Sequence, residues 1–208
     1  MPLYKTFTPN SQTTVKIWKI TESYDELFTL LDLKPNSLER VLRMKSEWHQ
    51  RGFLSVRHIL RDLGYTDQDL FYDENGKPHL KDGKCISITH SFTFTGIIVS
   101  DKVPVGIDIE MQRDKILKIA HKFTPFQEYK TIANHSALIS KLTVVWGAKE
   151  SLYKIYGKKK LRFLENMYIE DFKFEDEKTT GEIRFENETL SYNVHFLEFE
   201  GFTCVYAY

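Results

Sequence analysis

Trp146-Gly147-Ala148-Lys149-Glu150-Ser151-Leu152-Tyr153-Lys154 is the stretch from which the rest of the chain can be read. Val145, Ala148, Leu152 and Ile155 recur at helical spacing and make an apolar stripe, so the spacing predicts a partly buried helix. Trp146, Glu150 and Lys154 step by four and share another stripe, which holds a glutamate one turn from a lysine. Upstream, Val105-Gly106-Ile107-Asp108-Ile109-Glu110 alternates like a strand. Val105, Ile107 and Ile109 point to one face, and Gly106, Asp108 and Glu110 to the other. Two carboxylates then project side by side, and Gly106 is expected to leave the space beside Asp108 empty.

Carboxylates on two rigid elements suit a hard divalent cation, because Mg²⁺ prefers oxygen ligands completed by waters and substrate phosphates. A lysine one turn along can neutralise a phosphate leaving group. Each piece alone has an ordinary explanation: a solvated sheet face, or an i,i+4 surface pair. What favours chemistry is that neither stretch is otherwise polar.

At 208 residues the chain suits one sizeable domain or two small ones. A hydrophobic content of 41% is that of a folded globular protein. Lys+Arg and Asp+Glu are each 29, so no basic excess marks a nucleic-acid partner, and any phosphate site must be local. Met1 to Asn10 contains no apolar run of the kind a secretory signal needs, and no stretch reaches the length of a membrane-spanning helix. Cys85 and Cys204 lack metal-ligand spacing and read as free thiols. These features are read as a cytoplasmic protein with neither membrane nor nucleic-acid binding.

The chain reads as α+β. A strand is predicted over Thr13–Ile20, and a helix capped by Ser23 that ends before Pro35. A long helix is predicted from Asn36 or Ser37 to Leu63, stopped by Gly64, with Arg51 and Arg57 beside its apolar run as phosphate candidates. Tyr65–Lys84 reads as a polar loop containing Asn75-Gly76-Lys77-Pro78. A strand then ends in Ile86-Ser87-Ile88-Thr89-His90-Ser91. Phe94–Ser100 and Val103–Glu110 read as a hairpin turned by Asp101-Lys102. A short helix at Ile116–Ala120 and another capped at Thr124-Pro125-Phe126-Gln127 follow, with Glu128 in the first turn of the latter. The helix bearing Glu150 is predicted to run from Ser136 to Gly157. Strands are predicted at Tyr168–Phe174, Glu182–Phe185, Leu190–Leu197 and Phe202–Tyr208. The pattern divides the chain into halves, 1–103 and 104–208.

Gly106-Ile107-Asp108-Ile109-Glu110 with Trp146-Gly147-Ala148-Lys149-Glu150-Ser151-Leu152-Tyr153-Lys154 resembles the paired signature of the 4′-phosphopantetheinyl transferases. The resemblance is to the single-chain, surfactin-synthetase-activating type. Asn75-Gly76-Lys77-Pro78 and Ile86-Ser87-Ile88-Thr89-His90-Ser91 agree with that type in order and spacing, so it covers nearly the whole chain. The resemblance implies two similar α+β halves related by a pseudo-twofold, with the active site in the cleft between them. It implies coenzyme A nucleotide contacts in the first half, from Arg51, Lys77, Pro78, Thr89 and His90. Thr89 stands where the family usually has serine, and the hydroxyl is kept. In the second half it implies a metal, Mg²⁺ with Mn²⁺ as the alternative, on Asp108, Glu110 and Glu150. Glu150 would deprotonate the acceptor serine, Lys154 would balance charge on the departing 3′,5′-ADP, and Lys149 would touch a phosphate.

The expected activity is transfer of 4′-phosphopantetheine from coenzyme A to a serine of an apo acyl or peptidyl carrier protein, by a monomer. Lys158-Lys159-Lys160 is a candidate docking patch for an acidic carrier. Two other readings stay open: a metal-dependent phosphodiester enzyme such as a nuclease, and a non-catalytic module that binds carriers. The balanced charge counts against the first, and the full set of carboxylates and the lysine against the second.

Overall fold

The structure is a computed structural model and describes residues 3–126, 129, 132, 134–158 and 160–208. The chain is mixed α+β and divides into two compact units, Met1–Pro104 and Val105–Tyr208.

In the first unit an antiparallel sheet has the order β1-β2-β6-β5, from β1 (Leu3–Asn10), β2 (Thr13–Lys19), β5 (Cys85–Ser91) and β6 (Phe94–Ser100). β1 is an edge strand with no fully buried side chain, paired along its ladder to β2. That is why apolar alternation does not reveal it. Helix α1 (Tyr24–Thr29) begins in a capping box, with Ser23 Oγ accepting from Glu26 N–H and Glu26 accepting from Ser23 N–H. The predicted long helix is instead two, α2 (Pro35–Arg43) and α3 (Glu47–Asp62). Between Leu42 and Phe53 the apolar stripe lapses save for Met44 and Trp48, so burial does not hold a helix there. Met44 turns to an extended backbone, and the Val41 carbonyl at the break accepts from both the Met44 N–H and the Gln50 side-chain amide. From Gly52 to Leu60 every residue of α3 is buried, and Leu54, Ile59 and Leu60 join Trp18, Leu27 and Ile97 in the core. The polar loop contains a short hairpin, β3 (Leu70–Tyr72) with β4 (Pro78–Leu80).

The second unit has a five-stranded antiparallel sheet of order β7-β11-β10-β9-β8. Its strands are β7 (Gly106–Met111), β8 (Met167–Ile169), β9 (Lys178–Phe185), β10 (Glu188–Phe199) and β11 (Phe202–Ala207). The predicted hairpin of Phe94–Ser100 with Val103–Glu110 is not made. Both sides of β6 are taken by β2 and β5, and β7 pairs with β11, placing Asp108 opposite Val205 and Glu110 opposite Thr203. The strand predicted at Tyr168–Phe174 shortens to β8, followed by a 3₁₀ turn at Phe174–Asp176. Helix α4 (Lys115–Ile119) leads into a 3₁₀ turn at Ala120–Lys122. Gln127 and Glu128, in the capped helix expected next, lie outside the described residues.

Helix α5 (His135–Tyr156) packs over this sheet, with Leu142, Val145, Ala148 and Leu152 in one core with Val194, Phe196 and Val205. Asn134 caps it by accepting from Ala137 N–H, and Gly157 ends it at φ 70°. A short helix α6 (Phe163–Asn166) follows. Contrary to the expectation of empty space at Gly106, α5 fills it: a Cβ at Gly106 would lie 2.0 Å from the Ser151 carbonyl oxygen. Gly147 is the reciprocal gap on α5, where a Cβ would lie 2.7 Å from Val205 Cγ2. Among the described residues no helix is long and apolar enough to cross a membrane.

The backbone oxygen facing Gly106 cannot turn away without breaking α5. Gly106→Ala is therefore expected to cost about 1–3 kcal/mol or more, read as a lowered urea midpoint, with a comparable loss of transfer.

Candidate active site

Strand alternation sends Gly106, Asp108 and Glu110 from β7 towards α5, and each meets a residue of that helix. Gly106 meets Ser151, Asp108 meets Lys154, and Glu110 meets Trp146. Asp108 is 6% exposed, and its Oδ1 accepts from Lys154 Nζ at 2.8 Å. The same ammonium donates to the Ile107 carbonyl at 2.7 Å. Lys154 is thus a fixed positive charge between strand and helix.

Glu110 is half-buried and lines a cavity together with Trp146. Burial, and then the neighbouring Asp108 charge, push its carboxyl up to about 7, against the opposing pull of the nearby Trp146 indole. Glu150 is raised as well, by burial first and by Asp108 second, while Lys154 pulls it down. Glu110, Arg113, Lys115, Thr143 and Trp146 line part of a cavity of about 190 Å³.

Asp108, Glu110 and Glu150 fit a hard cation in chemistry: all are oxygen donors, and their mutual repulsion is what a cation relieves. They do not stand as a closed ligand cluster. Among the described residues no three His, Cys, Asp or Glu side chains gather as a metal site, and Lys154 holds one Asp108 oxygen.

In the first unit the packing of α3 on β5 brings His90 against the start of α3. A Cβ at Gly52, next to Arg51, would lie 2.9 Å from His90 Cδ2, and the His49 ring meets His90 edge-on at 5.9 Å. Arg51 lies over Trp48 at 4.8 Å, and its Nε is buried with no hydrogen-bond partner among the described residues. His90 is exposed, whereas Thr89 is 6% exposed and pairs with Gly96. Asp73 Oδ1 accepts from the N–H groups of Asn75 and Lys77, shaping the turn that presents Lys77 and Pro78. Burial lowers the half-buried Lys77 ammonium, against the pull of Cys85 and Asp73.

Other expectations are corrected. Lys149 is fully buried, and its ammonium donates to the carbonyls of Phe123 at 2.5 Å and Phe163 at 3.1 Å, so it ties chain segments together instead of facing a phosphate. Arg57 is also interior: its Nε donates to Asp67 at 3.0 Å, and its guanidinium covers the Phe53 ring at 3.5 Å. Trp146 packs against Phe123 and Phe163 and lines a cavity with Glu110. The four-residue step to Glu150 gave no hint of a partner across the sheet. Of the lysine patch, Lys158 lies over Tyr156 at 5.9 Å, and Lys159 is outside the described residues.

A profile of the 4′-phosphopantetheinyl transferase superfamily matches residues 104–207, half of the chain. The chain belongs to that superfamily. The match coincides with the unit carrying Asp108, Glu110, Glu150 and Lys154. The chain is also 27% identical over 180 residues to "4′-phosphopantetheinyl transferase gsp" of Aneurinibacillus migulanus, covering 82% of this chain and 73% of the relative. The protein is a transferase of phosphopantetheine.

The raised Glu110 has a consequence without metal. Between its ordinary value of 4.5 and about 7 the folded protein holds this proton more tightly than the unfolded chain. Stability therefore falls as pH rises through that window. Metal-free Glu110→Gln is expected to lose less stability than wild type between those values, and to unfold at a higher temperature at pH 8, measured by calorimetry in chelator.

Proposed function

We propose that this protein moves 4′-phosphopantetheine from coenzyme A to a serine of an acyl or peptidyl carrier protein, releasing 3′,5′-ADP. The observation that carries the reading is the meeting of Asp108, Glu110, Glu150 and Lys154 in the unit matched by the superfamily. The Aneurinibacillus relative spans both units and favours the single-chain, surfactin-synthetase-activating type. On this reading Val105–Tyr208 performs the transfer and Met1–Pro104 contributes contacts to the coenzyme A nucleotide. Cys85 and Cys204 are free thiols, which suits a reducing cytoplasm.

Mg²⁺ held by Asp108, Glu110 and Glu150 would offset the charge of the pyrophosphate. Glu150, its carboxyl raised by burial and by Asp108, takes the proton of the carrier serine. The serine oxygen forms a bond to the phosphorus that bears the pantetheine. The bond from that phosphorus to the bridging oxygen breaks, and 3′,5′-ADP leaves with the electron pair. Lys154, already fixed between Ile107 and Asp108, balances the charge of the leaving group. Arg51, whose buried Nε lacks a partner among the described residues, holds the nucleotide phosphates with His90 and Thr89. Lys77 and Pro78 form the turn against the nucleotide. Lys158 and Lys160 steer an acidic carrier.

Incubation with Mg²⁺, coenzyme A and an apo carrier should add one phosphopantetheinyl group to the carrier, seen by intact-protein mass spectrometry. Asp108→Ala and Glu150→Ala should abolish this while remaining folded by circular dichroism. Near-normal turnover in either would remove its carboxylate from the reaction.

The nucleotide contacts are tested with dephospho-coenzyme A. It should bind more weakly than coenzyme A by about 1.5–3 kcal/mol, the worth of a charge-assisted hydrogen bond. Equal affinities in calorimetry would dismiss Arg51, Lys77 and His90 as ligands of the 3′-phosphate.

A further inference from the structure

The short hairpin of the first unit is held differently at its two ends. β3 and β4 pair over only three residues each, and a two-stranded ribbon of that length is marginal by itself. At the open end Leu70 and Leu80 stand opposite each other, buried in the core of the unit. At the tip, residues 73–77, no side chain is fully buried, so polar contacts have to set the shape. Asp73 is at the centre of them. Its backbone N–H donates to the Lys77 carbonyl and its carbonyl accepts from the Gly76 N–H, both at 3.0 Å. Its Oδ1 accepts from the N–H groups of Asn75 and Lys77, both at 2.9 Å. Its Oδ2 lies 3.1 Å from His79 Nε2 across the hairpin. A carboxylate only accepts, so Nε2 carries the proton and donates it. The His79 ring stacks on Phe71, its cross-strand neighbour, with centroids 5.4 Å apart and planes at 22°. The His79 bond first, and the Lys77 N–H next, hold the Asp73 carboxyl below its ordinary range, so it stays an acceptor.

We infer that Asp73 and His79 are positioning residues for the nucleotide: His79, braced on Phe71, fixes the Asp73 carboxylate, and Asp73 fixes the turn that presents Lys77 and Pro78. The inference rests on the reading of Lys77 as a contact of the coenzyme A nucleotide. An acid beside a phosphate site repels the ligand, so direct contact does not account for Asp73. Both of its oxygens are instead engaged by two backbone N–H groups and the histidine, which spreads its charge over three donors. What the turn fixes is the base of the Lys77 side chain, and with it the proline ring, whose φ is already set. Ordering that backbone before the ligand arrives lowers the entropy lost on binding.

The test is calorimetric binding of coenzyme A to the full-length protein, with steady-state kinetics alongside. Lys77→Ala sets the scale. Asp73→Ala should weaken coenzyme A about tenfold, the effect of one or two lost hydrogen bonds to a charged acceptor, and should add little to Lys77→Ala in the double variant. Asp73→Asn keeps an acceptor for the two N–H groups and removes the charge, so it should bind coenzyme A at least as tightly as wild type. His79→Phe keeps the stack on Phe71 but removes the donor. It should cost about two- to fivefold, and nothing further in the Asp73→Ala background. In turnover the losses should appear as a raised KM for coenzyme A at unchanged kcat and unchanged KM for the carrier. Should Asp73→Ala fail to fold, Asp73→Asn and His79→Phe decide. Wild-type affinity in Asp73→Ala or His79→Phe, or an equal loss in Asp73→Ala and Asp73→Asn, overturns the inference while leaving the nucleotide reading intact, provided Lys77→Ala binds weakly. Wild-type affinity in Lys77→Ala overturns both.

Discussion

The contact between the Gly106 Cα and the Ser151 carbonyl is the constraint on which the second unit depends. A helix can lie this close to a strand only where a side chain is missing, and Gly106 supplies that on β7 as Gly147 does on α5. The residues on either side of this approach are those proposed to carry the chemistry. With the helix axis held against the strand, Asp108 meets Lys154 and Glu110 meets Trp146. Were the helix further out, neither pair would close, and the carboxylates would sit on a solvated sheet face at ordinary pKa values.

The same closeness creates an electrostatic problem. Glu110 and Glu150 are removed from water and both feel Asp108, so each favours its neutral form. Lys154 relieves only part of this, being bound to Asp108 Oδ1 and the Ile107 carbonyl. The unit therefore carries unfavourable charge density in its metal-free form. Sites that bind cations and develop charge during reaction commonly hold such stored repulsion.

The basic side chains divide by the same logic of satisfaction. Arg57, Lys141 and Lys149 are buried and have specific partners: Asp67 for the first, Asp171 and the Phe172 carbonyl for the second, and the Phe123 and Phe163 carbonyls for the third. They hold loops to helices. Arg51 differs, with a buried Nε that has no hydrogen-bond partner among the described residues and with His90 against its neighbour Gly52. Cations of equal appearance in sequence thus separate, by the hydrogen-bond partners they find, only in the folded chain.

By itself the sequence determined the α+β class, the helix of Glu150 with its glycine cap at Gly157, and the alternation that puts Asp108 and Glu110 on one face of a strand. Those are local properties, set by side-chain period and cap chemistry. Order and spacing of the motifs also carried the family. What the sequence could not decide was pairing and burial. β7 pairs with β11 and not with β6, the long helical pattern breaks at Met44–Ser46, and the edge strand β1 forms on its ladder to β2. Each outcome depends on which partners compete for the same backbone or apolar surface, and those partners lie far away in the chain. The roles of Lys149 and Trp146 were hidden for the same reason. Neighbouring residues on one helix point in different directions, and only the packed structure decides that Lys154 meets Asp108 while Lys149 is spent on carbonyls inside.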